Sequence, residues 1–568
     1  MNDIRRTILW VIFGFSMVLL WDQWQVHNGN KATFFPTPAQ QAKVAVDAAS
    51  AVPQAAGVPT PVAPQGTVAV PVVETRATTK ELIQVETDVV KLSFDTEGGT
   101  LVRVELLKHE DEQKPGNHIV LLDDSKERIY TAQTGLISSV AGVALPTHKT
   151  VMNVRPGTRK LKDGDNALSI TFESPAQNGV KLVKTYTVKR GAYDMAVKHD
   201  IVNTGSQEVA PQLYFQLVRD GNKLAGESSF YSTFTGPAVY TEAKKYQKVE
   251  FADIKKKKVE VEKQSSTGYI AMVQHYFASA WILTDGLNRN ISMDAVDIGS
   301  NMADCCYRAT LIAPLEAIKP GETKSIAATF FAGPQEENKL EALYPGLELV
   351  KDYGWLTILA KPLFWLLDQL FNILGNWGWS IVALVVLLKA GFYWLNAHAY
   401  QSMAKMKAIN PKIMEMRERL KDNPQQMQME MMKIYREEKV NPMGGCVPIA
   451  LQIPVFIALY WVLLSTVEIR NAPWVGWIHD LSAPDPFFIL PLVMTLTTLL
   501  QTALNPAPPD PMQAKMMWIM PLAFSVMFFF FPAGLVLYWI TNNVLSIAQQ
   551  WLINVRMGVP PQFNLPKF

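Results

Sequence analysis

Five apolar runs follow Pro345, at 378–396, 446–466, 486–504, 517–531 and 534–553. A helix crossing a bilayer needs roughly 17 to 25 mostly apolar residues, and most of these runs meet that need. In lipid, every backbone amide and carbonyl must be satisfied inside the segment, so such runs read as membrane-embedded helices. The last two join through Phe531-Pro532-Ala533-Gly534, a tight helical hairpin. One run carries a charge. In SIVALVVLLKAGFYWLNA (380–397), Lys389 follows eight apolar residues, Ile381 to Leu388. An ammonium at mid-bilayer costs roughly 2.5–3.5 kcal/mol on insertion scales. At about 1.5 Å per residue it lies near 15 Å from the outer end of its helix. Snorkelling from there has to pass Tyr393 and Trp394, which favours a water-filled polar cavity.

The rest of the chain changes character in blocks. Residues 1–29 read MNDIRR, an apolar core and then Trp21 and Trp24. Small residues would mark a cleavage site, whereas bulky aromatics suit an interfacial belt, so this segment is expected to be an uncleaved anchor. Residues 30–80 hold seven prolines among Ala, Val, Gln and Thr, the composition of an extended linker. From 81 to 345, short alternating runs such as VVKLSFDTEGG and GAYDMAVKHDIVNTG predict a large antiparallel β-sandwich.

Orientation follows from charge. Residues 397–445 contain nine Lys/Arg, and the other short connections only Arg470 and Lys515, so that loop is expected to be cytoplasmic. Segment 346–376 is apolar but contains Lys361, Pro362 and Asp368. If it crossed, the basic loop would be exported, so it is read as an amphipathic interfacial helix. The expectation is a multi-pass α-helical membrane protein of six spans with both termini cytoplasmic. Beyond the anchor lie the periplasmic β domain, a second span at 377–396, a cytoplasmic hairpin at 397–445, spans three to six at 446–553 and a tail at 554–568.

Balanced charge, 53 basic against 51 acidic residues, gives no field directed at nucleic acid. No P-loop, HExxH or CxxC pair is present, so no cofactor or metal is expected. Cys305 and Cys306 are read as packed thiols in preference to a vicinal bridge, and the run IKKKKVEVEK (254–263) as a solvated edge or hairpin in preference to a basic binding patch.

The hairpin contains nine methionines, among them Met406, Met414, Met427 and Met431. Flexible, polarizable side chains suit varied apolar partners, and equally suit packing two helices together. Within the spans, Gln452, Thr495, Thr498, Gln501, Asn542, Ser546 and Gln549 are polar, the last three sharing one helical face at spacings of four and three. No acidic residue lies in these spans away from their ends, so Lys389 has no evident ion-pair partner and is suited to attracting something acidic.

The stretches NPMGGCVPIALQIPVF (441–456), WIHDLSAPDPFFILP (477–491), DPMQAKMMWIMP (510–521) and FPAGLVLYWITNN (531–543), with SMAKMKAINPKIMEMRERL in the hairpin, resemble the YidC-type insertases of the Oxa superfamily. The resemblance runs over essentially the whole chain. It implies a five-helix core enclosing a hydrophilic groove open to cytoplasm and lipid, in the bacterial inner membrane. It places Lys389 where the family usually keeps a groove arginine, and Val385 where many relatives have threonine. Gln452, Tyr538 and Trp539, with Thr498 and Asn542 from the polar faces, are the expected groove residues; Phe456 and Met494 would line a substrate slide. The implied partners are nascent membrane proteins, the Sec translocon, the ribosome and signal recognition particle pathway, and the lipid bilayer. A transporter or channel, and an anchored periplasmic carbohydrate-processing enzyme, are the rival classes. No internal repeat supports the first and no convergent His/Glu set the second.

Overall fold

The computed structural model describes residues 81–111, 114, 116–223, 233–297, 305–420, 423–438, 447–505, 511–556, 558 and 563. The expected anchor and linker, Met443, Cys446 and most of the tail lie outside them. The described chain forms two compact units, one of 81–355 with 465–468 and one of 356–464 with 469 onward.

The first unit is built from two nine-stranded sheets. One runs from the edge strand Leu82–Glu86 through Val90–Asp95, Thr100–Glu110, His118–Asp124, Ile129–Ser138, Pro211–Arg219, Tyr307–Pro314 and Arg289–Ala295 to the edge strand Gln264–Ser265. The other runs from Lys245–Lys248 through Gly236–Thr241, Tyr269–Gln274, Phe277–Leu283, Thr323–Pro334, Asp194–Asn203, Val180–Lys189 and Ala167–Glu173 to Asn153–Val154. Neighbouring strands pair antiparallel, for example Leu182 with Ile201 and Phe215 with Leu311. Alternation along each strand sends one face inward, and the two inner faces meet. Phe215 of the first sheet lies 5.3 Å from Trp281 of the second, and Phe94 lies 4.8 Å from Tyr186. The domain is therefore a β-sandwich. Two helices belong to it, α1 (Phe251–Lys255) and α2 (Glu337–Leu343); Leu340 of α2 joins Leu347 and Val350 against Tyr269, Ala271 and Ala280. Ser465 donates to the Asp352 carbonyl at 2.7 Å and Lys351 pairs with Glu468 at 3.3 Å, which holds residues 465–468 in this unit.

The alternation also carries a lysine into the core. Lys184 faces inward with Leu182 and Tyr186, and its ammonium donates to the carbonyls of Gly98 at 2.6 Å and Thr134 at 2.7 Å. Gly98 sits at φ +75°, and a Cβ there would fall 2.2 Å from the His148 carbonyl oxygen, so this turn needs glycine. Burial without a carboxylate partner pulls the Lys184 ammonium down to about 7. Burial likewise pulls His148 down to about 3, where its Nδ1 meets the Tyr214 hydroxyl at 2.7 Å. His199 Nε2 lies 2.9 Å from the Thr134 hydroxyl. The sulfurs of Cys305 and Cys306 are brought together as a vicinal pair, where the sequence reading favoured two separate packed thiols. Cys306 is buried beside Ile129 and Val218.

The second unit is helical: α3 (Thr357–Leu374), α4 (Trp377–Gly391), α5 (Tyr393–Arg419), α6 (Pro424–Glu437), α7 (Val447–Ser465), α8 (Ile489–Leu504), α9 (Pro511–Met527) and α10 (Ala533–Arg556). α10 packs against α4, α5 and α8. Gly375 ends α3 in the left-handed conformation, and the Asn376 side chain caps α4 by accepting from the Trp379 amide at 3.1 Å. Gly378 allows close approach to Trp474, whose ring a Cβ would meet at 2.2 Å.

Two helices have other bounds than expected, and the composition of a third does not by itself separate a span from an interfacial helix. The helix of the expected second span does not run straight to 396: α4 stops at Gly391, and segments 377–391 and 396–402, which together are long and apolar enough for one broken span, are bent by 68°. Gly391 is a poor helix former, and three bulky aromatics, Phe392, Tyr393 and Trp394, follow it. α3, read as interfacial, is the one described unbroken helix that is long and apolar enough to cross a bilayer. Its Ile358, Trp365 and Ile373 are exposed. α9 begins at Pro511, before the expected 517, because proline is pre-organised for a first helical turn.

Candidate functional site

Lys389 lies in the last turn of α4, half-buried. Its ammonium donates to Ser546 Oγ on α10 at 2.8 Å. Ser546 in turn donates to the Asn542 carbonyl, one turn earlier, at 2.7 Å. The Asn542 side chain accepts from Gln452 Nε2 on α7 at 2.7 Å. One hydrogen-bonded line therefore joins α4, α10 and α7. Among the described residues, the Lys389 ammonium meets no carboxylate, so its charge is solvated only by neutral dipoles.

A second polar line lies between α8 and α10. Asn543 Nδ2 donates to the Thr498 hydroxyl at 2.9 Å and to that of Thr497 at 3.3 Å. Thr498 returns its own proton to the Met494 carbonyl at 2.8 Å. Gln550 Nε2 reaches the Leu504 carbonyl at 3.4 Å. An aromatic wall adjoins these polar lines: Phe456 lies 4.5 Å edge-on from Trp539 and 5.8 Å from Tyr538, and Phe528 lies 4.8 Å from Trp539.

The expected site residues thus divide. Lys389, Gln452 and Asn542 come together through Ser546, and Phe456, Tyr538 and Trp539 form one aromatic group. Thr498 contacts Asn543, on the neighbouring position to Asn542. Met494, expected on a slide, is 1% exposed, with its sulfur 3.3 Å from the Thr498 hydroxyl, so it sits inside the helix packing. In the hairpin, Met406, Met427 and Met431 pack with Ile409, Ile413 and Met416 between α5 and α6. Met414, Met429 and Met432 face outward instead. Met429 and Met432 line a shallow cleft with Gln425, Gln428, Lys433 and Arg436. Among the described residues no group of three or more His, Cys, Asp or Glu is placed to hold a metal ion.

The family profile of the YidC periplasmic domain matches residues 82–366, and that of the 60Kd inner membrane protein matches 369–559. The membrane protein insertase YidC of Cupriavidus necator is 53% identical over 567 residues, 98% of each chain. This chain belongs to the YidC family. The YidC of Ralstonia nicotianae is 52% identical over 561 residues, again 98% of each. A crystal structure of an active YidC insertase, with its first transmembrane domain resolved, covers 83% of this chain and 92% of its own at 18% identity and a TM-score of 0.37. The sandwich is accordingly the large antiparallel YidC periplasmic domain, and the second unit is the family's helical core in the inner membrane.

Two residues that join this polar cluster were not among the expected groove residues, Ser546 and Asn543. Ser546 was legible only as a small polar residue four positions after Asn542. Its role as acceptor for Lys389 depends on how α4 and α10 face each other, which no local pattern reports. Asn543 and Asn542 are adjacent, and only packing decides which one turns to α7 and which to α8.

Proposed function

We propose that this chain inserts membrane proteins by receiving a hydrophobic segment in a cytoplasm-open groove around Lys389 and releasing it into lipid, alone or with the Sec translocon. The observation that carries this reading is an ammonium among apolar helices whose described partner is a neutral hydroxyl. Such a charge attracts an acidic tail strongly, because few competing dipoles screen it. Gln452, Thr498, Asn542 and Asn543 then solvate the tail part-way. The aromatic group of Phe456, Tyr538 and Trp539 gives the following apolar segment a surface to move along. Release into lipid is driven by apolar burial, at roughly 25 cal/mol per Å².

The same reading takes six spans, both termini cytoplasmic and α3 along the outer surface, supported by the nine basic residues of the hairpin loop. The hairpin meets the nascent chain first, by way of the ribosome and signal recognition particle pathway, using outward-facing Met414, Met429 and Met432. Lys389→Glu should block substrates with acidic tails while the protein still accumulates in the membrane. Normal insertion of such substrates by that variant would refute the attraction. Photocrosslinking from Lys389, Phe456 and Trp539 to a stalled nascent chain maps the path directly.

A further inference from the structure

Ser546 is 2% exposed, yet three groups from three helices converge on its hydroxyl. A serine hydroxyl has one proton to give and two lone pairs to offer. The proton goes to the Asn542 carbonyl at 2.7 Å, and one lone pair takes the Lys389 ammonium at 2.8 Å. The Tyr400 hydroxyl of α5 pairs with the same side chain. That inventory is complete, so the oxygen cannot rotate to serve another partner without breaking one of these contacts. Lys389 is in the opposite condition. An ammonium has three donors, and among the described residues one is used, on Ser546.

We infer that Ser546 is a positioning residue for the groove cation. It fixes the Lys389 ammonium by one proton against α10 and leaves two protons for the carboxylate of a substrate tail. This rests on the reading of Lys389 as the receiver of acidic tails. A lysine on a four-carbon stem otherwise samples many rotamers, whereas an arginine presents its donors in a rigid planar fork. The serine supplies the directional constraint that the lysine side chain lacks. The ligand class is an aspartate or glutamate side chain near the end of the incoming segment, held as a point-charge pair with up to two hydrogen bonds. Lys389 is the group that touches substrate, and Ser546 acts through it. The backbone carbonyl that orients Ser546 belongs to Asn542, whose side chain is tied to Gln452. The arrangement is thus anchored on α7 as well as α10.

The test reconstitutes the full chain in proteoliposomes. It follows protease protection of two single-span substrates that differ only in having two tail aspartates or two tail asparagines. Ser546→Thr keeps the hydroxyl, and Ser546→Val has nearly the same shape without it. Loss of a charge-assisted hydrogen bond should lower insertion of the aspartate substrate at least about tenfold in Ser546→Val. The asparagine substrate should be unaffected, and Ser546→Thr should insert both normally. Equal loss of both substrates in Ser546→Val would overturn the proposal and assign the hydroxyl to packing alone. Normal insertion of both by Ser546→Val would overturn it too. Lys389→Ala is run alongside. If Lys389→Ala inserts the aspartate substrate normally, the receiver reading itself fails. If Lys389→Ala is impaired and Ser546→Val is not, only the positioning role fails.

Discussion

Replacing Lys184 with methionine should remove a large pH dependence from the stability of the periplasmic domain. Burial without an acidic partner lowers this ammonium from 10.5 to about 7 in the fold. Between those values the unfolded chain holds the proton and the folded chain does not. Stability therefore rises with pH across that window and is at its lowest below about 7. From pH 7 to 9.5, at 1.36 kcal/mol per unit, the rise from this one group is about 3 kcal/mol. The window stops there because Tyr186, pushed up by burial, reverses the sign once tyrosines ionise in the unfolded chain. Methionine fills similar space but leaves the Gly98 and Thr134 carbonyls without their donor, at a penalty that does not vary with pH. The slope is therefore the diagnostic quantity, and the absolute stability is not. Pulse proteolysis in urea on the full chain in detergent, read on the periplasmic fragment at half-unit steps, measures it. An unchanged slope in Lys184→Met would show that the ammonium is paired or hydrated in the fold, and the reasoning would be wrong.

On the acid side, His148 is held neutral down to about 3, so stability should fall as pH drops below 6.5, by about 2.5 kcal/mol at pH 4.5 from this group. His148→Gln should make that limb shallower in the same proteolysis series, with buried His199, also held neutral by burial, keeping the remainder. Asn543→Val should weaken the contact between α8 and α10 by about 0.6–1.7 kcal/mol, seen as a lower thermal midpoint in detergent. Met429→Ser combined with Met432→Ser should reduce crosslinking of nascent chains to the hairpin without unfolding it. Met416→Ser, at 3% exposure between α5 and α6, should instead loosen the hairpin and raise its hydrogen exchange.

Much of the architecture was legible because it rests on one-dimensional signals. Period-2 alternation marked the strands, and it correctly put Leu92 and Phe94 on a buried face. Long apolar runs marked the helices, and spacing by four brought Asn542 and Ser546 onto one side of α10. The sequence was less informative wherever a side chain had two uses. Methionines pack helices together and also greet partners, and only the structure separates Met427 from Met429. A lysine inside a strand reads as outward, yet Lys184 points to the core because the Gly98 and Thr134 carbonyls there can receive it. The break after Gly391 was equally hidden, since the apolar run continues through Phe392 without interruption.

The two sheets of the periplasmic domain end in short strands. Gln264–Ser265 and Asn153–Val154 are two residues each, and the opposite edges, Leu82–Glu86 and Lys245–Lys248, are five and four. A long bare edge offers a row of unpaired amides and carbonyls on which another extended chain can zip up. Unfolded chains that come near the domain would need such an edge to add to it. Its blunt margins give them almost nothing to add to, so the sandwich can remain near unfinished neighbours without being recruited into aggregates.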